Sequence, residues 1–155
     1  MAIEQERRFL VHGPFPKTDG VAISQGYLST AKERTVRVRT MGGKAFITVK
    51  GQTDDAGRRL EFEYEIPIAD AREMIGLCAP YPIEKTRYTV NDAGVSWEVD
   101  EFHGHNQGLV IAEIEGTDDV IARAIATRPT WLGADVTTSF EYANARLAER
   151  PFTKW

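Results

Sequence analysis

Ile3-Glu4-Gln5-Glu6-Arg7-Arg8-Phe9-Leu10-Val11 reads as a β-strand with a charged face. Side chains on a strand alternate, so Glu4, Glu6 and Arg8 share one face. Ile3, Phe9 and Val11 point the other way, with Gln5 and Arg7 mixed among them. Taken alone, the stretch is an exposed strand with a solvated charged face. Its significance comes from recurrence, because the same division returns along the chain.

Over 34–40, Thr35, Arg37 and Arg39 oppose Val36 and Val38. Gly42-Gly43 reads as a hairpin turn. Over 44–50, Lys44, Phe46, Thr48 and Lys50 oppose Ala45, Ile47 and Val49. Over 60–66, Glu61, Glu63 and Glu65 oppose Leu60, Phe62, Tyr64 and Ile66. Over 83–90, Lys85, Arg87 and Thr89 oppose Thr86, Tyr88 and Val90. A hairpin loop at 91–94 leads to 95–102, where Ser96, Glu98 and Asp100 oppose Val95, Trp97 and Val99. Over 109–115, Glu113 and Glu115 oppose Val110, Ala112 and Ile114. The run 23–29 is a further short strand, and its Gly26 implies a bulge or a close approach to another group.

Three helices are expected. One runs over 70–77, capped by Asp70, with Ala71, Met74, Ile75 and Cys78 on one stripe. A second is capped by Asp118 and runs to about 126, and a third is capped by Ser139 and covers 140–148. The stretch 129–135 reads as a loop. No linker, repeat or low-complexity segment interrupts 1–155, which reads as a single domain.

Composition narrows the classes. The chain has 155 residues, 42% of them hydrophobic and 27% charged, as in an ordinary globular protein. No apolar run approaches the ~20 residues that span a bilayer. The acidic start begins a strand at once and is no signal peptide. The single cysteine, Cys78, excludes an internal disulfide and a cysteine-rich metal site. These features predict a cytoplasmic protein. A net charge of −4 argues against a nucleic-acid binder.

The charged rows are sorted by sign. Glu61 with Glu63 and Glu65, Glu98 with Asp100, and Glu113 with Glu115 are purely acidic; Arg37 with Arg39 and Lys85 with Arg87 are purely basic. Like charges two residues apart on one face repel, so solubility alone would not favour such rows. The pattern suits an α+β protein with a closed or nearly closed antiparallel β-barrel, charged inside, its outer apolar stripes covered by helices. A charged interior needs a ligand that satisfies it. Guanidinium forks suit phosphate oxygens. Paired carboxylates suit hard divalent cations such as Mg2+ or Mn2+.

These blocks resemble, in order, those of the CYTH-domain proteins, the triphosphate tunnel metalloenzymes. The first strand is similar to the family's ExExK signature. Gln25-Gly26-Tyr27-Leu28, Arg37-Val38-Arg39, Thr48-Val49-Lys50-Gly51, Glu63-Tyr64-Glu65-Ile66, Ile83-Glu84-Lys85-Thr86-Arg87-Tyr88 and Glu113-Ile114-Glu115 follow. The short bacterial members look most alike. The resemblance implies an eight-stranded antiparallel tunnel that hydrolyses or transfers triphosphates with a divalent metal. It implies Glu4, Glu113 and Glu115 as ligands of one metal, and Glu6 as contributor to a second that activates water. It implies Arg8, Arg37, Arg39, Lys50, Lys85 and Arg87 as phosphate ligands, with Glu6, Arg8, Tyr27 and Lys85 as the catalytic candidates. Glu61, Glu63, Glu65, Glu98 and Asp100 are further lining candidates, some of them as ion-pair partners of the bases. Tyr27 is either a proton acceptor, against an ordinary phenol pKa of ~10, or structural.

Two positions depart from the family pattern. Arg8 replaces the signature lysine, keeping the charge but not a lysine's capacity to give up a proton. The last helix reads Ser139, Phe140, Glu141, Tyr142, Ala143, Asn144, where the family usually has acid, base, Arg, Tyr, any residue, Asn. Tyr142 and Asn144 are kept and the basic pair is lost. In short members this helix can plug one end of the tunnel, so the change bears on substrate preference and rate. His103 and His105 read as turn residues rather than metal ligands, and Trp97, Trp131 and Trp155 as packing residues. The expected activity is metal-dependent hydrolysis of a small triphosphate, inorganic tripolyphosphate first, by a monomer or homodimer with no membrane partner. A class IV type adenylyl cyclase, a thiamine triphosphatase and a non-catalytic polyphosphate or nucleotide binder are the alternatives.

Overall fold

The computed structural model describes residues 3–78 and 80–155. The elements are β1 (Ile3–Val11), β2 (Val21–Ser29), β3 (Arg34–Met41), β4 (Lys44–Gly51), β5 (Arg58–Ile66), α1 (Ile68–Ile75), β6 (Ile83–Asp92), β7 (Val95–Phe102), β8 (Val110–Glu115), α2 (Asp118–Thr127), β9 (Leu132–Asp135) and α3 (Asn144–Leu147). The strands pair in the order β5-β4-β3-β2-β6-β7-β8-β1, and β5 pairs back onto β1, closing an eight-stranded antiparallel barrel. Closure leaves few unpaired edges. The β5–β1 seam is short, with the pairs Ile3↔Leu60, Glu4↔Arg59 and Gln5↔Arg58.

Alternation sets what faces in. Val38 and Ala45 point outward and pack under Ala71 of α1, with Ile47, Ile66 and Met74 around them. Phe9, Trp97, Ala112 and Ile114 point outward and pack under Ile121 and Ala124 of α2, beside Trp131. Trp97 meets Phe9 and Trp131 edge-on, at 5.8 and 5.7 Å between ring centroids. Burial of such side chains, at roughly 25 cal/mol per Å2, is the main driving force for this arrangement. The outer row of β5 is left open: Leu60, Phe62 and Tyr64 are exposed, so helices cover part of the exterior rather than all of it.

The inward rows change character along the barrel. Two residues beyond the charges they become apolar: Leu10 after Arg8, Ile83 before Lys85, Phe102 after Asp100, Ile111 before Glu113. Ile83, Phe102 and Ile111 are buried with Tyr27 and with Ala145, Leu147 and Ala148 of the C-terminal segment, and Leu10 packs against them. One end of the barrel is therefore filled, and the charged rows line the space left towards the other.

Local expectations change in several places. α1 starts behind Pro67 with no side-chain cap, and Asp70 lies inside its first turn. Cys78 lies beyond the end of that helix, and a Cβ on Gly26 would come within 2.6 Å of the Cys78 Cβ, the close approach its position implied. Thr117, not Asp118, caps α2 by accepting from the Val120 amide. The expected loop at 129–135 contains β9, which adds to β1 beyond the end of β5. The expected helix at 140–148 is a 3-10 turn (Phe140–Tyr142) followed by the single turn of α3, and Ser139 makes no cap.

Candidate active site

The charged part of the barrel encloses a cavity of about 580 Å3. It collects side chains from distant parts of the chain. Arg8, Arg37, Arg39, Lys50, Lys85 and Arg87 all line it. So do Glu4, Glu6, Glu113 and Glu115, together with Glu61, Glu63, Glu98 and Tyr27. Asp100 is fully buried and sits behind the wall, while Glu65 is exposed at the end of its row and lies off the wall. The cavity grades from dry to wet: the Lys85 side chain is 2% exposed and that of Glu98 39%.

The dry end is a network of ion pairs. Arg87 grips Asp100 with two bonds, Nε to Oδ1 at 2.8 Å and Nη2 to Oδ2 at 2.9 Å. Lys85 Nζ lies 2.8 Å from Asp100 Oδ2 and donates to Asn144 Oδ1 at 3.1 Å. Gln25 donates to the same Asn144 oxygen at 3.0 Å and to the Tyr27 hydroxyl at 3.4 Å. Asn144 thus fastens the C-terminal segment to the cavity floor. Burial lowers Lys85 to about 8 despite Asp100. For Asp100, burial is outweighed by Lys85 and Arg87, which hold it below the usual carboxylate range.

On the β3–β5 wall, Arg37 and Arg39 share one oxygen of Glu63, each at 3.4 Å, and Thr48 donates to it at 2.8 Å. Burial and the neighbouring Arg37 and Arg87 lower Arg39 to about 10. The Nε donors of Arg8, Arg37 and Arg39 are buried and make no hydrogen bond among the described residues. An unpaired buried donor is costly, so these three are open capacity for an anion's oxygens.

The acids divide into two groups. Glu6 and Glu113 form a buried pair over Arg8, whose Nη2 lies 3.4 Å from Glu6 and Nε 3.7 Å from Glu113. Burial, Glu113 and Glu4 raise Glu6 well above the ordinary value, while Arg8 and the hydrogen bond from Glu6 overcome burial to hold Glu113 low. Glu4, Glu61 and Glu115 form the second group, each placing an oxygen within 4.8 Å of the others. Burial and the charges of Glu4, Glu61 and Glu98 raise Glu115 to about 7. Three mutually repelling carboxylates fit a hard divalent cation, which prefers oxygen ligands. Glu61 joins Glu4 and Glu115 here, whereas Glu113 stands with Arg8.

Arg59 is a cavity residue that the sequence reading left out. Extending the inward row 61, 63 by one step back would have found it. Thr48, beside Glu63 and Arg37, and Gln25 with Asn144, beside Lys85, support the site in ways invisible without the barrel. His103 bonds Thr86 at 2.8 Å and His105 meets Tyr81 edge-on, both away from the cavity. No helix among the described residues is long and apolar enough to cross a membrane.

The CYTH domain profile matches residues 2–123. This chain belongs to the CYTH family. Over 155 aligned residues it is 44% identical to an inorganic triphosphatase of Acetivibrio thermocellus, covering 98% of this chain and 97% of that protein. It is 33% identical to an inorganic triphosphatase of Nitrosomonas europaea over 149 residues, covering 94% and 96%. The crystal structure of an inorganic triphosphatase superposes with a TM-score of 0.69 at 31% identity, covering 96% of this chain and 95% of its own.

Proposed function

We propose that this CYTH protein hydrolyses inorganic tripolyphosphate with the help of a divalent cation. The observation that carries the reading is the division of one cavity between orphaned guanidinium donors and a carboxylate triad. A phosphate chain and its counter-ion answer both needs at once. The near full-length likeness to inorganic triphosphatases supports the same substrate.

In this reading Arg8, Arg37 and Arg39 turn their free Nε donors to phosphate oxygens, and Lys50, Lys85 and Arg87 add charge. Phosphoryl transfer needs mainly positioning and neutralisation of charge, which such a wall supplies. Glu4, Glu61 and Glu115 would hold the cation, Mg2+ or Mn2+, with Glu113 and Glu6 lining the same cavity. The cation supplies Lewis-acid polarisation and a more acidic water when bound. Burial and the neighbouring Glu113 and Glu4 raise the Glu6 carboxyl well above its ordinary value. Lys85, lowered to about 8, holds a proton close to neutral pH and is linked to Tyr27 through Asn144 and Gln25. Tyr27, whose hydroxyl accepts from Gln25, is the candidate proton acceptor. We place this single 1–155 domain in the cytoplasm.

Phosphate release from tripolyphosphate, ATP and thiamine triphosphate, with and without Mg2+ or Mn2+, tests the reading. Metal-dependent release fastest from tripolyphosphate is expected. Turnover should fall by at least about 100-fold in an Arg37→Ala, Arg39→Ala variant, the effect of losing preorganised charge stabilisation. Binding without turnover, or cyclic AMP formation from ATP, overturns it.

A further inference from the structure

The seam that closes the barrel carries an ion pair inside the cavity. Glu4 and Arg59 are directly opposed in the β1–β5 register, so both side chains enter the same face. Arg59 Nε donates to Glu4 Oε1 at 2.8 Å, and Nη2 lies 3.8 Å from Glu6 Oε1. Lys50 donates to the same Glu4 Oε1 at 3.0 Å. A carboxylate oxygen has two lone-pair sites, and both sites of Oε1 are taken by cations. Yet Glu4 is the buried member of the Glu4–Glu61–Glu115 triad. Lys50 also donates to Glu4 Oε2 at 3.0 Å and has Glu61 at 3.3 Å, while Arg59 makes the shorter bond to Oε1 and has Glu6 further off, at 3.8 Å.

We propose that Arg59 is a resident counter-cation of this site: it occupies Glu4 while the protein is metal-free and gives up that oxygen to an incoming divalent ion. Arg59 is then a positioning residue that sets metal affinity by competition. The proposal rests on Glu4 being a metal ligand. It differs in sign from a purely structural role. If Arg59 only fastens β5 to β1, removing it loosens the triad and weakens metal binding. If it competes, removing it vacates one lone-pair site of Glu4 Oε1, leaving Lys50 on the other, and strengthens metal binding, because apparent affinity scales with the fraction of sites that are free.

Calorimetric titration of Mn2+ into the metal-free protein, without triphosphate, separates these roles. Arg59→Gln is expected to bind Mn2+ about five-fold more tightly than wild type. Arg59→Lys, which keeps the charge, should stay within about two-fold of wild type, and Glu4→Gln should lose binding. Unchanged or weaker Mn2+ binding by a folded Arg59→Gln variant overturns the proposal. Wild-type Mn2+ affinity in Glu4→Gln shows instead that the metal reading itself has failed, and the proposal falls with it. A measurement on wild type needs no variant to fold: the Arg59 Nε–H resonance should be protected from exchange before Mg2+ is added and lose that protection at saturating Mg2+. Protection that persists at saturation overturns the proposal.

Discussion

Asp100 shows what alternation reveals and what it hides. Its place in the row with Glu98 put it on the inner face, and it is there. Its depth was not legible, because strand parity gives a face and says nothing of position along the barrel. Asp100 sits behind the cavity wall as the shared counter-charge of Lys85 and Arg87. Removing one partner of a buried ion pair leaves uncompensated charge, at about 3–5 kcal/mol. Asp100→Asn is therefore expected to lower unfolding free energy by about 3 kcal/mol in urea denaturation, with an unchanged slope. A loss below about 0.5 kcal/mol, the scale of an ordinary surface substitution, refutes this account of the residue. Glu65 shows the converse: it shares a face with Glu63 but lies past the end of the cavity. Arg59 was missed because its row was begun one residue late.

At the scale of elements, seven strands were legible from their own alternation of charged or polar and apolar residues, and β2 as a short strand marked by Gly26. β9 was not. Leu132-Gly133-Ala134-Asp135 has no alternation, and its place is fixed by backbone bonds to the edge of β1 that β8 leaves free. The C-terminal segment forms less helix than its sequence predicts, because its apolar residues Ala145, Leu147 and Ala148 fill the barrel end rather than lay down a helical stripe. The β4–β5 loop carries a further non-local device. Gly57 has φ +81° and its carbonyl accepts from the Glu6 amide at 3.1 Å, continuing the seam beyond the three paired positions. A Cβ at Gly57 would run into the Glu6 carbonyl oxygen. Gly57→Ala should cost about 2–3 kcal/mol, combining left-handed strain with a clash against backbone. Gly42→Ala, at φ +61° with no atom within 4 Å of the new Cβ, should cost only about 1 kcal/mol. Equal losses by chemical denaturation would remove the case for Gly57 as part of the closure.

For the whole molecule, gathering acids and bases in one enclosure makes stability depend on pH in a stated direction. Glu6 and Glu115 have raised values, Glu115 at about 7. A raised acid contributes stability that is complete below its unfolded value, about 4.5, and is lost as pH rises through the folded one. Glu4, Glu113 and Asp100 are held low by neighbouring cations, so their contribution is present above the unfolded range and lost as pH falls. The metal-free protein should thus be most stable in mildly acid solution. Lys85 begins to lose its proton near 8, so a comparison of about pH 5.5 with about pH 7.5 isolates mainly the two raised acids. Glu115 is exposed enough for solvent to screen it, which reduces its share to roughly 1 kcal/mol. Urea unfolding in chelator should show wild type losing about 1 kcal/mol or more between these pH values, and Glu115→Gln losing less. Mg2+ at the higher pH should restore the loss, because a ligand that binds only the folded state adds to its stability. Equal stability at both pH values would mean that the carboxylates do not crowd one another in solution, and would remove the electrostatic reason for a cation among them.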